Sequence, residues 1–197
     1  MMNTRPVVVV LAAGRGERFQ GDGHKLEQAL GAETVLCVTI RHVIESQLPL
    51  VVVCAQRLAP LVQRLVAARD VILVPEAGPS GMGDSIAAGV RASTQASGWL
   101  ILPGDMPEVQ PASLRAVAAA LDHSPIAYAQ YRGRRGHPVG FGAELYSELT
   151  ALTGDNGARR IVSRFPAVGV ELVDAGVLLD IDTAEDLQRL REARSLA

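Results

Sequence analysis

Three stretches of the chain combine residue types that can do chemistry. The first is Leu11-Ala12-Ala13-Gly14-Arg15-Gly16-Glu17-Arg18, with Lys25 a few residues on. Its small residues let backbone N–H groups approach a phosphate closely. Arg15 and Arg18 offer planar forks and Lys25 a point charge, enough to neutralise several negative charges. The second stretch, Leu102-Pro103-Gly104-Asp105-Met106-Pro107, holds a carboxylate between turn residues after an apolar run. The third, Leu178-Leu179-Asp180-Ile181-Asp182-Thr183, offers two more carboxylates, which alternation puts on one side if the segment is extended. Mg²⁺ favours one or two carboxylates together with substrate phosphates and waters, and Asp105 with Asp182 can supply them. Each feature has a plainer explanation too: solvated arginines on a glycine turn, or aspartates that tighten turns and cap helices. Their joint presence favours chemistry on a phosphorylated ligand.

Other nucleotide loops and catalytic signatures fit less well. A dinucleotide fingerprint needs a third glycine where Phe19 stands, and no acidic residue closes the second apolar run, which opposes a nicotinamide oxidoreductase. A Walker loop needs Gly-Lys-Ser/Thr, whereas Lys25 lies between His24 and Leu26. The chain has no Ser-His-Asp order, no Gly-x-Ser-x-Gly elbow and no His-Glu-x-x-His. In-line nucleotidyl transfer needs none of these, because positioning and charge stabilisation can carry it.

These stretches need elements that hold them at one edge. Residues 7–11, 50–54, 71–74 and 99–102 are apolar runs typical of strands buried on both faces. Helical spacing occupies 34–46, 58–68, 82–97 and 111–121, the last with Pro111 in its first turn. Such alternation predicts βαβ units around a parallel sheet, with ligands at the carboxyl ends of the strands. That edge carries residues 11–18, 78–85 and 103–107. Beyond Ser124 the pattern is less regular. Strands are expected at 126–131, 140–141 and 168–173, and short helices at 143–152 and 158–164. A final helix over 184–194 is capped by Thr183, with Asp186 three residues on. The reading is a three-layer Rossmann-like α/β fold with a mostly parallel central sheet. Residues 1–197 form a single domain, with a nucleotide-binding part over 1–124 and an acceptor-side subregion over 125–180.

Composition sets further bounds. A formal net charge of −2 opposes nucleic-acid binding, while 19 Lys and Arg residues suffice for a local basic pocket. Cys37 and Cys54 lie in apolar stretches without a C-x-x-C and read as small buried hydrophobes. No apolar run reaches the roughly 20 residues of a membrane span, and the start of the chain runs directly into the first strand. A soluble cytoplasmic protein is expected.

The assembled motifs resemble a known family. Residues 11–18 with Lys25 are similar to the N-terminal signature of sugar-nucleotide-type nucleotidyltransferases. Gly81-Met82-Gly83-Asp84-Ser85-Ile86 resembles the family's nucleotide-side segment, and Gly104-Asp105-Met106-Pro107 its metal-binding strand end. Gly136-His137-Pro138-Val139-Gly140-Phe141, Gly154-Asp155-Asn156-Gly157-Ala158-Arg159 and Asp180-Ile181-Asp182-Thr183-Ala184-Glu185-Asp186 resemble the molybdenum cofactor cytidylyltransferase branch. The resemblance implies that Leu11, Ala12, Ala13 and Gly14 hold the base and ribose side, and that Arg15, Arg18 and Lys25 contact the triphosphate. It implies that Gly81 and Ser85 help place the nucleoside, and that Asp105 and Asp182 ligate Mg²⁺. His137, Asp155 and Arg159 would face the pterin or its phosphate. The implied reaction joins CMP from CTP to the molybdopterin cofactor, and the product serves a molybdenum hydroxylase that the protein contacts transiently. GTP, another phosphorylated acceptor, or a non-catalytic carrier or chaperone of the cofactor are the alternatives. Residues 19–24 depart from the family's usual spacing before the lysine, and Ala184 stands where a proline is common.

Overall fold

A computed structural model describes residues 5–14, 16, 19, 23–75 and 81–195. In it Val7–Ala12 forms strand β1, buried on both sides. Val7 and Val9 enter one core cluster, while Val8, Val10 and Ala12 enter the other. Its β-branched run fits because a strand between two helical layers has no wet face.

A 3-10 turn at Lys25–Glu27 leads to two short antiparallel strands, Ala29–Leu30 (β2) and Glu33–Thr34 (β3). Helix Val35–Glu45 (α1) follows, with the Thr34 side chain accepting from Cys37 N–H as its N-cap. Next come Leu50–Ala55 (β4), Ala59–Val62 (α2), Val71–Val74 (β5), Met82–Arg91 (α3), Gly98–Pro103 (β6) and Pro111–Ala120 (α4). The second half contains Ile126–Tyr131 (β7), Arg134–Gly142 (β8), Tyr146–Thr150 (α5), Arg159–Arg164 (α6), Ala167–Glu171 (β9) and Ala184–Ser195 (α7).

Seven strands form one sheet in the order β5-β4-β1-β6-β8-β7-β9. The β5, β4, β1 and β6 strands are mutually parallel, and β9 is parallel to β7. Strand β8 runs against both β6 and β7. One face of the sheet packs on Leu36, Ile40 and Val43 of α1, Leu114 and Val117 of α4, and Leu187 of α7. The other packs on Ile86 and Val90 of α3, Leu149 of α5 and Ile161 of α6. This is the expected three-layer, Rossmann-like arrangement around a mostly parallel sheet. No helix among the described residues is long and apolar enough to cross a membrane.

Several elements differ from the sequence reading. The helix expected over 58–68 stops at Val62, where Leu65 and Val66 N–H both donate to Val62 O and turn the chain toward β5. The helix expected over 82–97 stops at Arg91. There the Ser93 hydroxyl donates to Gly89 O and accepts from Trp99 Nε1–H, a local side-chain bond that competes with helix continuation. Strand β8 is nine residues long where two were expected. Residues 179–182 form no strand, so strand alternation does not set Asp180 and Asp182.

Candidate active site

Two of the three loops expected at the carboxyl edge, those after 7–11 and 99–102, are tied together by a main-chain bond. Gly104 N–H donates to Leu11 O at 2.8 Å, joining the ends of β1 and β6. The buried Thr39 hydroxyl of α1 lies 3.0 Å from Gly104 O and 3.1 Å from Val35 O, and so braces the same turn from below. A side chain at Gly104 would stand 3.0 Å from Leu11 O, so the two loops meet this closely only through glycine. Ile181 N–H donates to Asp105 O at 3.0 Å. That bond, rather than strand alternation, brings Asp182 beside Asp105.

Lys25 lies between the two carboxylates. Its Nζ donates to Asp105 Oδ2 at 2.5 Å and to Asp182 Oδ1 at 3.1 Å. The three side chains are largely covered, at 14%, 13% and 24% exposure respectively. Burial works against the Lys25 charge, but Asp105 and then Asp182 outweigh it and hold the ammonium above its ordinary value. Asp105 Oδ1 is buried and has no hydrogen-bond partner among the described residues, a costly condition that a bound ligand would relieve. Asp180, by contrast, is exposed.

Strand β8 brings His137 to this edge. Ile101 pairs with Val139, so His137 lies at the carboxyl end of β6 beside Asp105. Burial keeps the imidazole below its ordinary pKa, opposed in part by the charges of Asp105 and Asp180. At physiological pH it is therefore chiefly neutral.

A second junction forms at the start of α3. Asp84 accepts from Gly81 N–H and from Gly154 N–H, each at 2.9 Å, and Gly83 N–H donates to Gly154 O at 2.8 Å. A side chain at Gly81 would lie 2.1 Å from the Gly154 carbonyl carbon. The 81–86 and 154–159 motifs are thus locked together. Ser85 is buried and its hydroxyl donates to Gly81 O at 3.3 Å, while Asp155 and Arg159 are exposed on this α3 side. The expected acceptor residues therefore fall in two places, His137 by Asp105 and the other two beside α3. In the first loop, Ala12 is buried and Gly14 exposed, whereas Arg15 and Arg18 lie outside the described residues.

The model of the MobA-like NTP transferase domain matches residues 8–169 of this chain. The chain belongs to the MobA-like NTP transferase family. The purine catabolism protein PucB of Bacillus subtilis (strain 168) is 30% identical over 204 residues, covering 95% of this chain and 96% of PucB. Rv0371c of Mycobacterium tuberculosis H37Rv has a crystal structure 31% identical to this MobA-like transferase, with a TM-score of 0.81 over 98% of this chain and 100% of that one. Its complex with manganese is 29% identical, with a TM-score of 0.77 over 96% and 99% of the two chains. A nucleotidyl transferase from Methanothermobacter thermautotroptrophicus is 27% identical, with a TM-score of 0.79 over 96% and 97%. The protein is a nucleotidyltransferase.

The donor set of this MobA-like transferase suits a hard dication. Among the described residues, no group of three His, Cys, Asp or Glu could hold a metal ion. Two carboxylates, one with a buried oxygen that has no partner among the described residues, are what an ion completed by substrate oxygens and water needs. Sequence reasoning missed Thr39, Asp84 and His24 as organising residues. Only Asp84 carried a signal, as an acid three residues into a helix that begins at glycine.

Proposed function

We propose that this nucleotidyltransferase uses Mg²⁺ to transfer CMP from CTP to the molybdenum-molybdopterin cofactor, releasing pyrophosphate and forming the dinucleotide cofactor. The observation that carries the reading is the pairing of Asp105 with Asp182 through Lys25 at the carboxyl edge. The motifs around His137 and Asp155 support the acceptor.

In this reading Leu11, Ala12, Ala13 and Gly14 border the base and ribose, with Gly81 and Ser85 on the nucleoside side. Arg15, Arg18 and Lys25 neutralise the triphosphate. Asp105 and Asp182 hold Mg²⁺, which when bound supplies charge neutralisation for the phosphates. His137, Asp155 and Arg159 orient the acceptor. An oxygen of the acceptor's terminal phosphate attacks the α-phosphorus of CTP. The new P–O bond forms as the bond to the β-phosphate breaks, and pyrophosphate leaves with that electron pair. A phosphate dianion needs no general base, so the chain's task is alignment and charge. The neutral imidazole of His137 can donate one hydrogen bond to an acceptor without adding a full charge. The whole chain acts as one domain in the cytoplasm and hands its product to a molybdenum hydroxylase. Likeness to a purine catabolism protein is in keeping with a purine-oxidising client.

The test is pyrophosphate release from purified protein, Mg²⁺ and molybdopterin cofactor, with CTP and GTP in parallel. Release with CTP alone is expected. Release with GTP overturns the choice of base, and release with neither overturns the acceptor.

A further inference from the structure

His24 lies in the stretch that departs from the family's usual spacing, and its ring touches two parts of the site at once. Its Nδ1 accepts from Leu26 N–H at 3.3 Å, capping the 3-10 turn that carries Lys25. A backbone N–H can only donate, so Nδ1 is unprotonated and the ring proton sits on Nε2. That nitrogen lies 2.9 Å from Gly14 O, which can only accept. The neutral ring with its proton on Nε2 satisfies both contacts. Burial, the largest influence on this imidazole, holds it below its ordinary pKa and favours that neutral form.

The ring also backs onto Gly16. That glycine has φ +65°, and a side chain there would stand 2.9 Å from His24 Nε2 and 3.0 Å from Cδ2. Phe19 N–H donates to Gly16 O at 2.9 Å, and the Phe19 ring is buried. The imidazole therefore stands at a fixed distance from both Gly14 and Gly16.

We propose that His24 is a positioning residue for triphosphate binding: its Nε2–H bond holds Gly14 O, its ring backs Gly16, and both are thereby tied to the turn that carries Lys25. This rests on the reading of the loop and Lys25 as the triphosphate site. A small-residue loop presents backbone donors to an anion, and holding Gly14 O against His24 removes freedom from this one at Gly14. A preorganised loop binds more tightly because less ordering remains to be done on binding.

Two amide variants separate the two contacts. His24→Asn keeps an acceptor near the Nδ1 position and so keeps the cap, but cannot reach Gly14 O. His24→Gln places its amide NH₂ near the Nε2 position and keeps the reach to the loop. Calorimetric titration of the full chain with Mg²⁺–CTP and Mg²⁺–GTP, without any acceptor, reads the effect. The expected result is that His24→Asn weakens triphosphate binding by about tenfold, as loss of one hydrogen bond and its preorganisation implies. His24→Gln should stay within about threefold of the parent, because it retains the bond to the loop. Thermal melts check that both variants are folded. Equal affinity in all three proteins overturns the proposal while leaving the triphosphate site standing. The reverse order, with Asn retained and Gln impaired, overturns it in favour of capping alone. A parent protein that binds neither triphosphate overturns the site reading and this proposal with it.

Discussion

The two halves of the sheet solve the same burial problem by opposite means. In β4, β1 and β6 the strands fill space with valine, isoleucine and leucine on both faces. In β8 the chain reads Arg134-Arg135-Gly136-His137-Pro138-Val139-Gly140-Phe141-Gly142, and close approach replaces bulk. A side chain at Gly136 would stand 2.1 Å from Val177 O, and one at Gly140 would stand 3.2–3.3 Å from Leu121 and Val117. The first half is a scaffold whose strand ends carry loops. The second is a lattice of contacts that moves one histidine to the edge. One reversed strand in a mostly parallel sheet thus places beside Asp105 a side chain that no βα loop supplies.

The contrast can be broken by opposite substitutions. Leu100→Ala, in the fully buried β6, should cost about 2–5 kcal/mol through lost transfer energy and a cavity, measured by urea unfolding. Gly136→Ala removes nothing, yet should cost about 1–3 kcal/mol because the added methyl meets the Val177 carbonyl. A neutral Gly136→Ala would show that β8 is loosely held and that the contrast is false. A smaller effect is expected at Asp174, whose carboxylate accepts from Gln110 N–H, the Ser113 hydroxyl and Gly176 N–H. It thereby caps α4 from another segment, and Asp174→Ala should lower stability by about 1 kcal/mol.

The smallest effect sharpens the junction between the halves. Hydrogen bonds from Gly81 N–H and then Gly154 N–H hold the Asp84 carboxyl below its ordinary pKa. A depressed carboxylate pKa contributes stability above the ordinary value, and that contribution is lost as pH falls through the folded one. Exchange of the Gly81 and Gly154 amides should therefore speed up selectively in that acid window. In Asp84→Asn the pH step should vanish. A step that survives the substitution would assign it to another group.

The sequence made the scaffold legible and the lattice obscure, for physical reasons. A strand between two helical layers must be apolar throughout, so Val7 to Leu11 and Trp99 to Leu102 announce themselves. Strand β8 carries no such run, because glycines and neighbouring backbone do the filling, and only Gly140 and Phe141 were recognised. Residues 58–68 have helical spacing throughout, but the chain turns after Val62 to bring Val66 under the core. Asp105 was legible as a carboxylate at a strand end. Asp182 was legible only as a residue type; its position depends on the Ile181 N–H bond to Asp105 O, which no local pattern encodes. Lys25 was expected at the phosphates, and its place between the two carboxylates had no sequence signal. Nor did His24, whose contact runs ten residues back along the chain.

Asp105 and Asp182 are proposed to form one dication site beside the triphosphate. Mn²⁺ binding read by electron paramagnetic resonance, with CTP present, tests it most directly in the parent, Asp105→Asn and Asp182→Asn. Each variant is expected to bind Mn²⁺ at least about tenfold more weakly and to release pyrophosphate about a hundredfold more slowly, with an unchanged melting profile. Folded variants that both keep the parent's Mn²⁺ affinity and turnover would contradict the account.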